Sequence, residues 1–339
     1  MSHPFILSCE STVDFPYETM HQRGIEVLFY TYMVDGQTYV DDMGRDPTAL
    51  ERFYGFLAEG KLPVTSQINE FQYERYLDAL AQRGDVLHIA FGSGMTPSVY
   101  NAQKAAKTLR ARYPERKIIV IDSLCSSSGY GLLVELAADM RDHGATIDEV
   151  ADWVTANRQR IHHQFFSTDL KFYRRSGRMS GPTAMIGAVL GICPIMHLDA
   201  GGHIIAYDKV RGKRSAIERT VDTMAANAEG GEGYMGRCII AHSACPAEAE
   251  ALRTAIRTRF PLIDGDIRVL DIGTIIASHC GPGTVAAFFL GGEIRPSSRG
   301  GFVPSSRDEG GCTSCKPRVG TPKGSPVQGE LASERNELG

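Results

Sequence analysis

The 339-residue sequence has no surplus of basic residues, few aromatic residues and no long apolar run. Lys and Arg total 36 against 40 Asp and Glu, which argues against a nucleic-acid or anionic-membrane partner, because both require a basic surface. Aromatic residues make up 8% with a single tryptophan, Trp153, so a base-stacking platform is not expected. The longest apolar candidate, residues 284–290, is far shorter than the ~20 residues of a membrane span. We therefore expect no nucleic-acid partner and no stable membrane insertion.

The amino terminus lacks a basic segment followed by an apolar run, so no signal peptide is predicted. The eight cysteines are scattered over a chain long enough to fold without disulfides, and we interpret them as small hydrophobic residues of a reduced, cytoplasmic protein. Cys312-x-x-Cys315 is half of a zinc-binding pattern with no second pair, and His162-His163 lacks further ligands. No metal site and no cofactor are predicted.

Hydrophobic residues form 42% of the chain and charged residues 22%, and the length favours two domains at roughly 150 residues each. Strands are predicted at 5–8, 85–91 and 117–121. A helix with Thr96 as its N-cap and Pro97 in its first turn separates the last two, and another helix runs from about 126 to 141. Alternating strands and helices are typical of a parallel α/β sheet.

The second half follows a different order. A hairpin is predicted over 194–207, followed by helices at 214–228 and 246–259 and strands at 237–241 and 267–270, which favours a mixed sheet. We predict an N-terminal α/β domain at 1–163 and a C-terminal α/β domain at 164–294. Residues 295–339 are rich in Pro, Ser, Gly and charge, so we expect a disordered tail.

Three loops rich in hydroxyl groups and glycine follow predicted strands, at 63–68, 92–98 and 279–283. Ligands of open α/β sheets bind beyond the carboxyl ends of the strands. Ser93 and Gly94, ahead of a helix, could present N–H groups and a hydroxyl to an anion, and Thr65 with Ser66 could do the same. The alternative is that Thr65, Ser66 and Ser98 cap helices and that His279 is a buried structural histidine.

Several enzyme motifs are missing. Ser93 lacks the G-x-S-x-G spacing of a nucleophile elbow, and neither a G-x-x-x-x-G-K-[ST] loop nor a G-x-G-x-x-G loop in a βαβ context is present. Nucleotide binding therefore has no fingerprint here. A hydrolytic pair of Ser93 and His279 acting on an acyl substrate stays open.

Taken together, the segments resemble the DegV family of bacterial fatty-acid-binding proteins, from about Phe5 to Leu290. Six of them match family motifs in the right order: Glu10-Ser-Thr-Val-Asp-Phe-Pro (D-S-T-x-D-L-P), Pro63-Val-Thr-Ser-Gln (P-x-T-S-Q), Ile121-Asp-Ser (V-x-D-S), Gly177-Arg-Met (G-G-R-I), Arg211-Gly-Lys-Arg-Ser-Ala (R-G-x-K-K-A) and His279-Cys-Gly-Pro-Gly (H-x-G-P-G). Glu10 replaces the family's first Asp, and the family's S-S-G-L-S-G-T loop keeps only its second serine, as Ser93.

The resemblance implies a non-catalytic lipid carrier that holds one long-chain fatty acid in an apolar tunnel between two α/β domains. It further implies that Thr65, Ser66, Ser93, Gly94 and His279 meet the carboxylate, and that a separate fatty-acid kinase receives the bound acid and forms the acyl phosphate. Thr96 keeps a hydroxyl near this site. Arg175 and Arg178 belong to a basic cluster that is either a solvated loop or a contact to the ligand site or to an acidic partner surface.

Overall fold

The computed structural model describes residues 3–179 and 191–294. The predicted disordered tail and the Cys312-x-x-Cys315 pattern lie outside the described residues. The strands of the described ranges are β1 (Ile6–Glu10), β2 (Ile25–Leu28), β3 (Thr31–Val34), β4 (Gln37–Val40), β5 (Val64–Ser66), β6 (Val86–Ala90), β7 (Ile118–Asp122), β8 (Ile161–Ser167), β9 (Ile192–Leu198), β10 (Ile204–Arg211), β11 (Cys238–His242), β12 (Arg268–Asp271) and β13 (Thr284–Leu290). The α-helices are α1 (Tyr17–Gln22), α2 (Ala49–Ala58), α3 (Glu70–Ala81), α4 (Ser98–Arg112), α5 (Ser127–Asp142), α6 (Ile147–Asn157), α7 (Lys171–Ser176), α8 (Lys213–Asn227), α9 (Pro246–Arg259) and α10 (Thr274–Cys280).

The N-terminal half contains a parallel sheet of strand order β2-β1-β6-β7. Every residue of β6 is buried, as expected of a parallel strand covered on both faces. Helix α4 connects β6 to β7 as a crossover helix, whereas α5 follows β7 and leads through α6 to β8. The parallel α/β sheet predicted from the sequence is confirmed.

The C-terminal half contains a mixed sheet of order β10-β9-β8-β13-β11-β12, in which β11 and β12 are parallel and the other neighbours antiparallel. The predicted hairpin is the β9-β10 pair. The mixed sheet is therefore confirmed. The domain division at residue 163 stays a prediction; that residue lies within β8.

A third sheet, of order β4-β3-β5, is not anticipated by the sequence patterns. It places Thr65 and Ser66 in a strand, so they do not cap the following helix; Asn69 caps α3 instead, with Gln72 completing a capping box. The N-cap predicted at Thr96 is one residue early, because α4 begins at Ser98 after Pro97. The hydroxyl of Thr96 still accepts a hydrogen bond from the Ser98 N–H at 3.3 Å.

The six-stranded sheet separates two apolar clusters because successive side chains of a strand point to opposite faces. On β13, Ala286 and Phe288 face the cluster shared with the N-terminal half, whereas Val285 and Phe289 face the cluster under α8 and α9. One face of this sheet is therefore available to build a site against the N-terminal half.

A carboxylate with no exposed surface lies at the end of β1. The Glu10 oxygens accept hydrogen bonds from the hydroxyls of Tyr73 (2.7 Å) and Tyr130 (2.6 Å) and from the Phe91 N–H (2.8 Å), and Oε1 lies 3.0 Å from His88 Nε2. Burial opposes the ionisation of Glu10, but the charge and hydrogen bond of His88, together with the two tyrosines, outweigh it and lower its pKa. The network joins β1, β6, α3 and α5.

The described cysteines are free thiols, and all except the half-buried Cys245 are buried, in agreement with their interpretation as small hydrophobic residues. Over residues 3–179 and 191–294, no helix combines the length and the hydropathy needed to cross a membrane.

We predict that Glu10→Ala lowers the free energy of unfolding by about 3–5 kcal/mol, because the substitution leaves a buried histidine and two buried hydroxyls without their acceptor. Urea unfolding at neutral pH measures the change. Glu18→Ala, which removes an exposed carboxylate from α1, is the control and should change it by less than about 0.5 kcal/mol.

Since the pKa of Glu10 is lowered, its contribution to the free energy of unfolding is present above the ordinary glutamate pKa. This contribution is lost as the pH falls through the lower folded-state pKa. The difference in the free energy of unfolding between wild type and Glu10→Ala should therefore decrease at acidic pH. Equal unfolding free energies of the two proteins at neutral pH would contradict this role for the network.

Candidate ligand-binding cavity

A cavity of about 350 Å³ lies between the carboxyl ends of the parallel strands and the inner face of the six-stranded sheet. This volume is within the range of small-molecule sites. Loops after β2 and β6 and the start of α5 form one side; β8, β9, β10 and β13 form the other, and α10 and Tyr173 of α7 complete the wall.

Most of the cavity wall is apolar. On β8 and β13 the alternation of side chains directs Phe165, Ala286 and Phe288 into it. The remaining apolar lining residues are Phe91, Met95, Pro97, Leu198, Ile204, Ile272, Ile275, Ile276 and Cys280. An extended apolar molecule fits such a lining better than a polar metabolite.

Polar groups gather where β5 meets α10. Thr65 Oγ1 and His279 Nε2 are joined by a hydrogen bond of 2.9 Å, although 214 positions separate the two residues in the chain. Ser66, Gln67 and Thr96 also line the cavity there.

The charge at this end of the cavity is carried by arginine. Burial, together with the positive charges of Arg178 and Arg175, lowers the pKa of His279 to about 4, so its ring is neutral at pH 7. Arg178 lines the cavity, and burial lowers its pKa. No carboxylate among the described residues forms an ion pair with Arg178, whose guanidinium contacts the Ser176 carbonyl. A ligand carboxylate could supply the missing counter-ion.

Ser93 and Gly94 directly precede Met95 and Thr96, which line the cavity, but are not themselves among the lining residues in the described part of the chain. The Ser93 N–H donates to Asp122 at 3.0 Å. A methyl group on Gly94 would lie 2.3 Å from the Gly202 carbonyl oxygen, so glycine permits the close approach of this loop to the β9-β10 turn. The carboxylate-binding role of both residues stays a prediction.

Arg175 is exposed beside the cavity and does not belong to its described lining. Its guanidinium donates to the Ser278 carbonyl at 3.2 Å and lies over the Phe172 ring at 5.2 Å. Arg175 therefore braces α7 against α10 and leaves a positive charge at the surface near the polar end.

The alternative hydrolytic pair gains no support from these contacts. His279 Nε2 is hydrogen-bonded to Thr65, and no hydrogen bond joins His279 to Ser93 among the residues that the structure describes. Across residues 3–179 and 191–294 there is also no group of three or more His, Cys, Asp or Glu side chains that could hold a metal ion.

Sequence reasoning missed a second polar region of the wall. It consists of Ser126 and Ser127 at the start of α5, with His163 from β8, all lining the cavity. His163 Nε2 accepts the Ser126 N–H at 3.1 Å and Nδ1 donates to the Ile161 carbonyl at 2.9 Å, so the ring is neutral; burial lowers its pKa to about 4. The Ser126–Ser128 run was the available signal, but it indicated only a helix start.

Comparisons with known proteins agree with this geometry. A family model described as "Uncharacterised protein, DegV family" matches residues 7–291. The chain belongs to the DegV family. A DegV domain-containing protein of Clostridium perfringens is 31% identical over 293 residues, covering 86% of this chain and 99% of the relative.

Two solved DegV-fold structures extend the comparison. The structure of a DegV family protein from Thermus thermophilus, described by its fatty-acid binding, aligns with a TM-score of 0.75 at 26% identity, covering 85% of this chain and 99% of that one. The fatty acid kinase B3 protein of Streptococcus pneumoniae, loaded with linoleic acid, aligns with a TM-score of 0.71 over 86% of this chain and 99% of that one; at 21% identity it shows the shared fold.

We predict that nuclear magnetic resonance of the ring nitrogens finds His279 titrating near pH 4, and that Arg178→Gln raises this pKa because a neighbouring positive charge is removed. The pKa of His279 in this variant should stay below that of an exposed histidine, since burial is the larger cause of its lowering. Arg175→Gln is the matched control and should give the smaller shift. A His279 that titrates near 6.5 in the wild type would contradict the buried neutral ring.

Proposed function

We propose that this DegV protein is a carrier of one long-chain fatty acid, with the acyl chain in the apolar part of the cavity and the carboxylate at its polar end. The observation that carries the proposal is the combination of an apolar wall with the partly buried Arg178, which has no ion-pair partner within the described residues, beside Thr65 and His279. The fatty acids named for solved relatives support the same ligand class.

The expected affinity comes mainly from the acyl chain. At roughly 0.8 kcal/mol per buried methylene, a C16 chain contributes at most about 11 kcal/mol before association costs. A charge-assisted hydrogen bond to the carboxylate adds roughly 1.5–3 kcal/mol. The polar end therefore orients the ligand, whereas the apolar wall retains it.

At the polar end, each group has a distinct task. Arg178 neutralises the carboxylate, and Thr65, held by neutral His279, and Ser66 donate hydroxyl hydrogen bonds to it. Because His279 is uncharged at pH 7, the positive charge that selects an anion comes from Arg178 rather than from the histidine. Ser93 and Gly94 shape the adjoining loop and act through Met95 and Thr96, which line the cavity.

We further propose that the carrier presents this carboxylate to a fatty-acid kinase, which transfers the phosphoryl group from ATP. The sequence has no phosphate-binding loop of its own, so the nucleotide would be bound by the partner. The exposed guanidinium of Arg175 beside the polar end is suited to an acidic surface on that partner.

The first test is mass spectrometry of an organic extract of the purified protein, for which we expect close to one long-chain fatty acid per chain. Arg178→Gln and Thr65→Val should each weaken binding of added palmitate by about ten- to a hundredfold, the equivalent of one charge-assisted hydrogen bond. Ser93→Ala is the matched control from the neighbouring loop and should have a smaller effect. An empty protein that a serine-reactive phosphonate labels at Ser93 would instead favour the acyl hydrolase.

The second test combines the carrier with purified fatty-acid kinase from the same organism, palmitate and ATP. We expect acyl phosphate to form only when the carrier is present, and Arg175→Glu to slow its formation when compared with wild type at equal fatty-acid occupancy. Arg214→Glu, which reverses the charge of a 93% exposed side chain on α8, is the control. Unchanged kinase rates with Arg175→Glu would contradict docking at this surface.

A further inference from the structure

Two buried carboxyl groups lie behind the wall of the ligand cavity, where the proposed function gives them no role. Asp14 and Asp41 are only 6% and 3% exposed. Both border a second cleft of about 380 Å³, and Ile272 lines that cleft as well as the ligand cavity. The two carboxyl groups thus stand between the two spaces.

Each carboxyl group holds one wall of the ligand cavity. Asp14 Oδ2 accepts the hydroxyl of Ser127, the cavity-lining residue at the start of α5. Asp41 Oδ1 accepts both the N–H (3.2 Å) and the hydroxyl (2.7 Å) of Thr274, the first residue of α10. The other end of α10 carries His279, so the position of Asp41 affects the polar end of the cavity.

The Asp14–Ser127 contact also stabilises unusual backbone. Both residues adopt left-handed conformations, with φ of 51° and 52°, which non-glycine residues rarely do. Such conformations persist only where surrounding contacts determine them. The hydrogen bond between the two side chains is one of those contacts.

The remaining oxygens of the pair, Asp14 Oδ1 and Asp41 Oδ2, make no hydrogen bond of good geometry within the described residues and are shielded from solvent, although the Gly273 N–H lies near Asp14 and the Ser11 hydroxyl near Asp41. The two groups are close together: a methyl group on Gly273 would lie 2.5 Å from Asp14 Oδ1 and 3.3 Å from Asp41 Oδ1. Two ionised carboxylates so placed would repel each other strongly in a medium from which water is excluded.

We propose that Asp14 and Asp41 together retain one proton at neutral pH, and that this singly protonated pair holds the start of α5 and α10 at the spacing that the acyl ligand requires. The second half of this proposal rests on the proposed function. Asp14 and Asp41 are therefore positioning residues of the ligand cavity, acting through Ser127 and Thr274.

The surrounding charges favour a retained proton. Asp42 adds negative charge next to Asp41, whereas Asp46, which also borders the cleft, is paired with Arg52 at 3.1 Å. Asp271 of β12 borders the cleft as well, and the charges of Tyr32 of β3 and Cys280 of α10 couple to the pair. Burial and the neighbouring Asp41 raise the pKa of Asp14 well above its ordinary value, and burial raises the pKa of Asp41 to about 6. No group of three metal ligands exists within the described ranges, which makes a proton a better fit than a metal ion.

The sign of the effect follows from the raised pKa values. The folded protein binds more protons at this pair than the unfolded chain does, so the stabilising contribution is complete below the ordinary aspartate pKa and is lost as the pH rises through the folded-state values. Ligand affinity should also decrease as the pH rises, since repulsion between two carboxylates separates α5 from α10.

The test measures binding of cis-parinarate, a fluorescent fatty acid, to delipidated protein between pH 6 and pH 9. We expect the affinity of the wild type to fall by about tenfold over this range. This corresponds to a difference of about one unit between the pKa of the pair in the bound protein and in the free protein. Asp41→Asn should bind with a flat pH profile, because its amide oxygen keeps an acceptor for Thr274 while the second negative charge of the pair can no longer form. Asp14→Asn serves as a second variant should the first not fold, and Asp46→Asn is the control that should keep the wild-type profile.

Carbon-13 carboxyl resonances of ligand-free protein test the proton separately from lipid binding. We expect one carboxyl group of the pair to be protonated still at pH 7; two ionised carboxylates at that pH would overturn the proposal. Equal pH profiles for wild type and Asp41→Asn, or a wild-type profile that changes with EDTA or added Ca²⁺, would also overturn it. A wild type that retains the proton but binds no cis-parinarate at any pH would instead refute the proposed carrier function.

Discussion

The buried carboxylate of Glu10 is the constraint on which the N-terminal wall of the cavity depends. A charged group removed from water is tolerated only when every acceptor position is used, and Tyr73, Tyr130, His88 and the Phe91 N–H use them. Meeting that requirement fixes α3 and α5 against β1 and β6. Phe91, which follows β6 and donates its N–H to Glu10, also lines the cavity. The network that stabilises the buried charge therefore also shapes the cavity wall.

The opposite wall follows from a simpler rule. Side chains alternate along β8 and β13, so Phe165, Ala286 and Phe288 face the cavity while their neighbours fill the cluster under α8 and α9. The two walls meet closely because glycine lacks a Cβ where the Gly94 loop touches the Gly202 turn. A largely apolar space with a polar end results, and the fatty-acid carrier proposed above requires such a space.

Much of the fold was predictable because its signals are local or periodic. The apolar runs of β6 and β7, the helical spacing in α4 and the glycine turn of the β9-β10 hairpin each follow from short-range patterns. The sheet of β3, β4 and β5 was missed, since its short strands carry weak patterns and depend on pairing with one another. For the site, the motif resemblance predicted Thr65, Ser66 and His279, which the fold brings to one end of the cavity. It also predicted Ser93 and Gly94, which are not among the lining residues in the described part of the chain.

The sequence by itself determined the family, the α/β class and the residue types available for anion binding, because these depend on composition, periodicity and motif order. Tertiary structure alone decided which groups meet and in which protonation state. Thr65 contacts His279 across 214 positions of chain, and burial and two arginines lower the pKa of the ring to about 4, so that it stays neutral even in mild acid. The pairing of Asp14 with Asp41 likewise has no sequence signature, since two carboxylates repel in an extended chain and are forced together only by packing around Gly273.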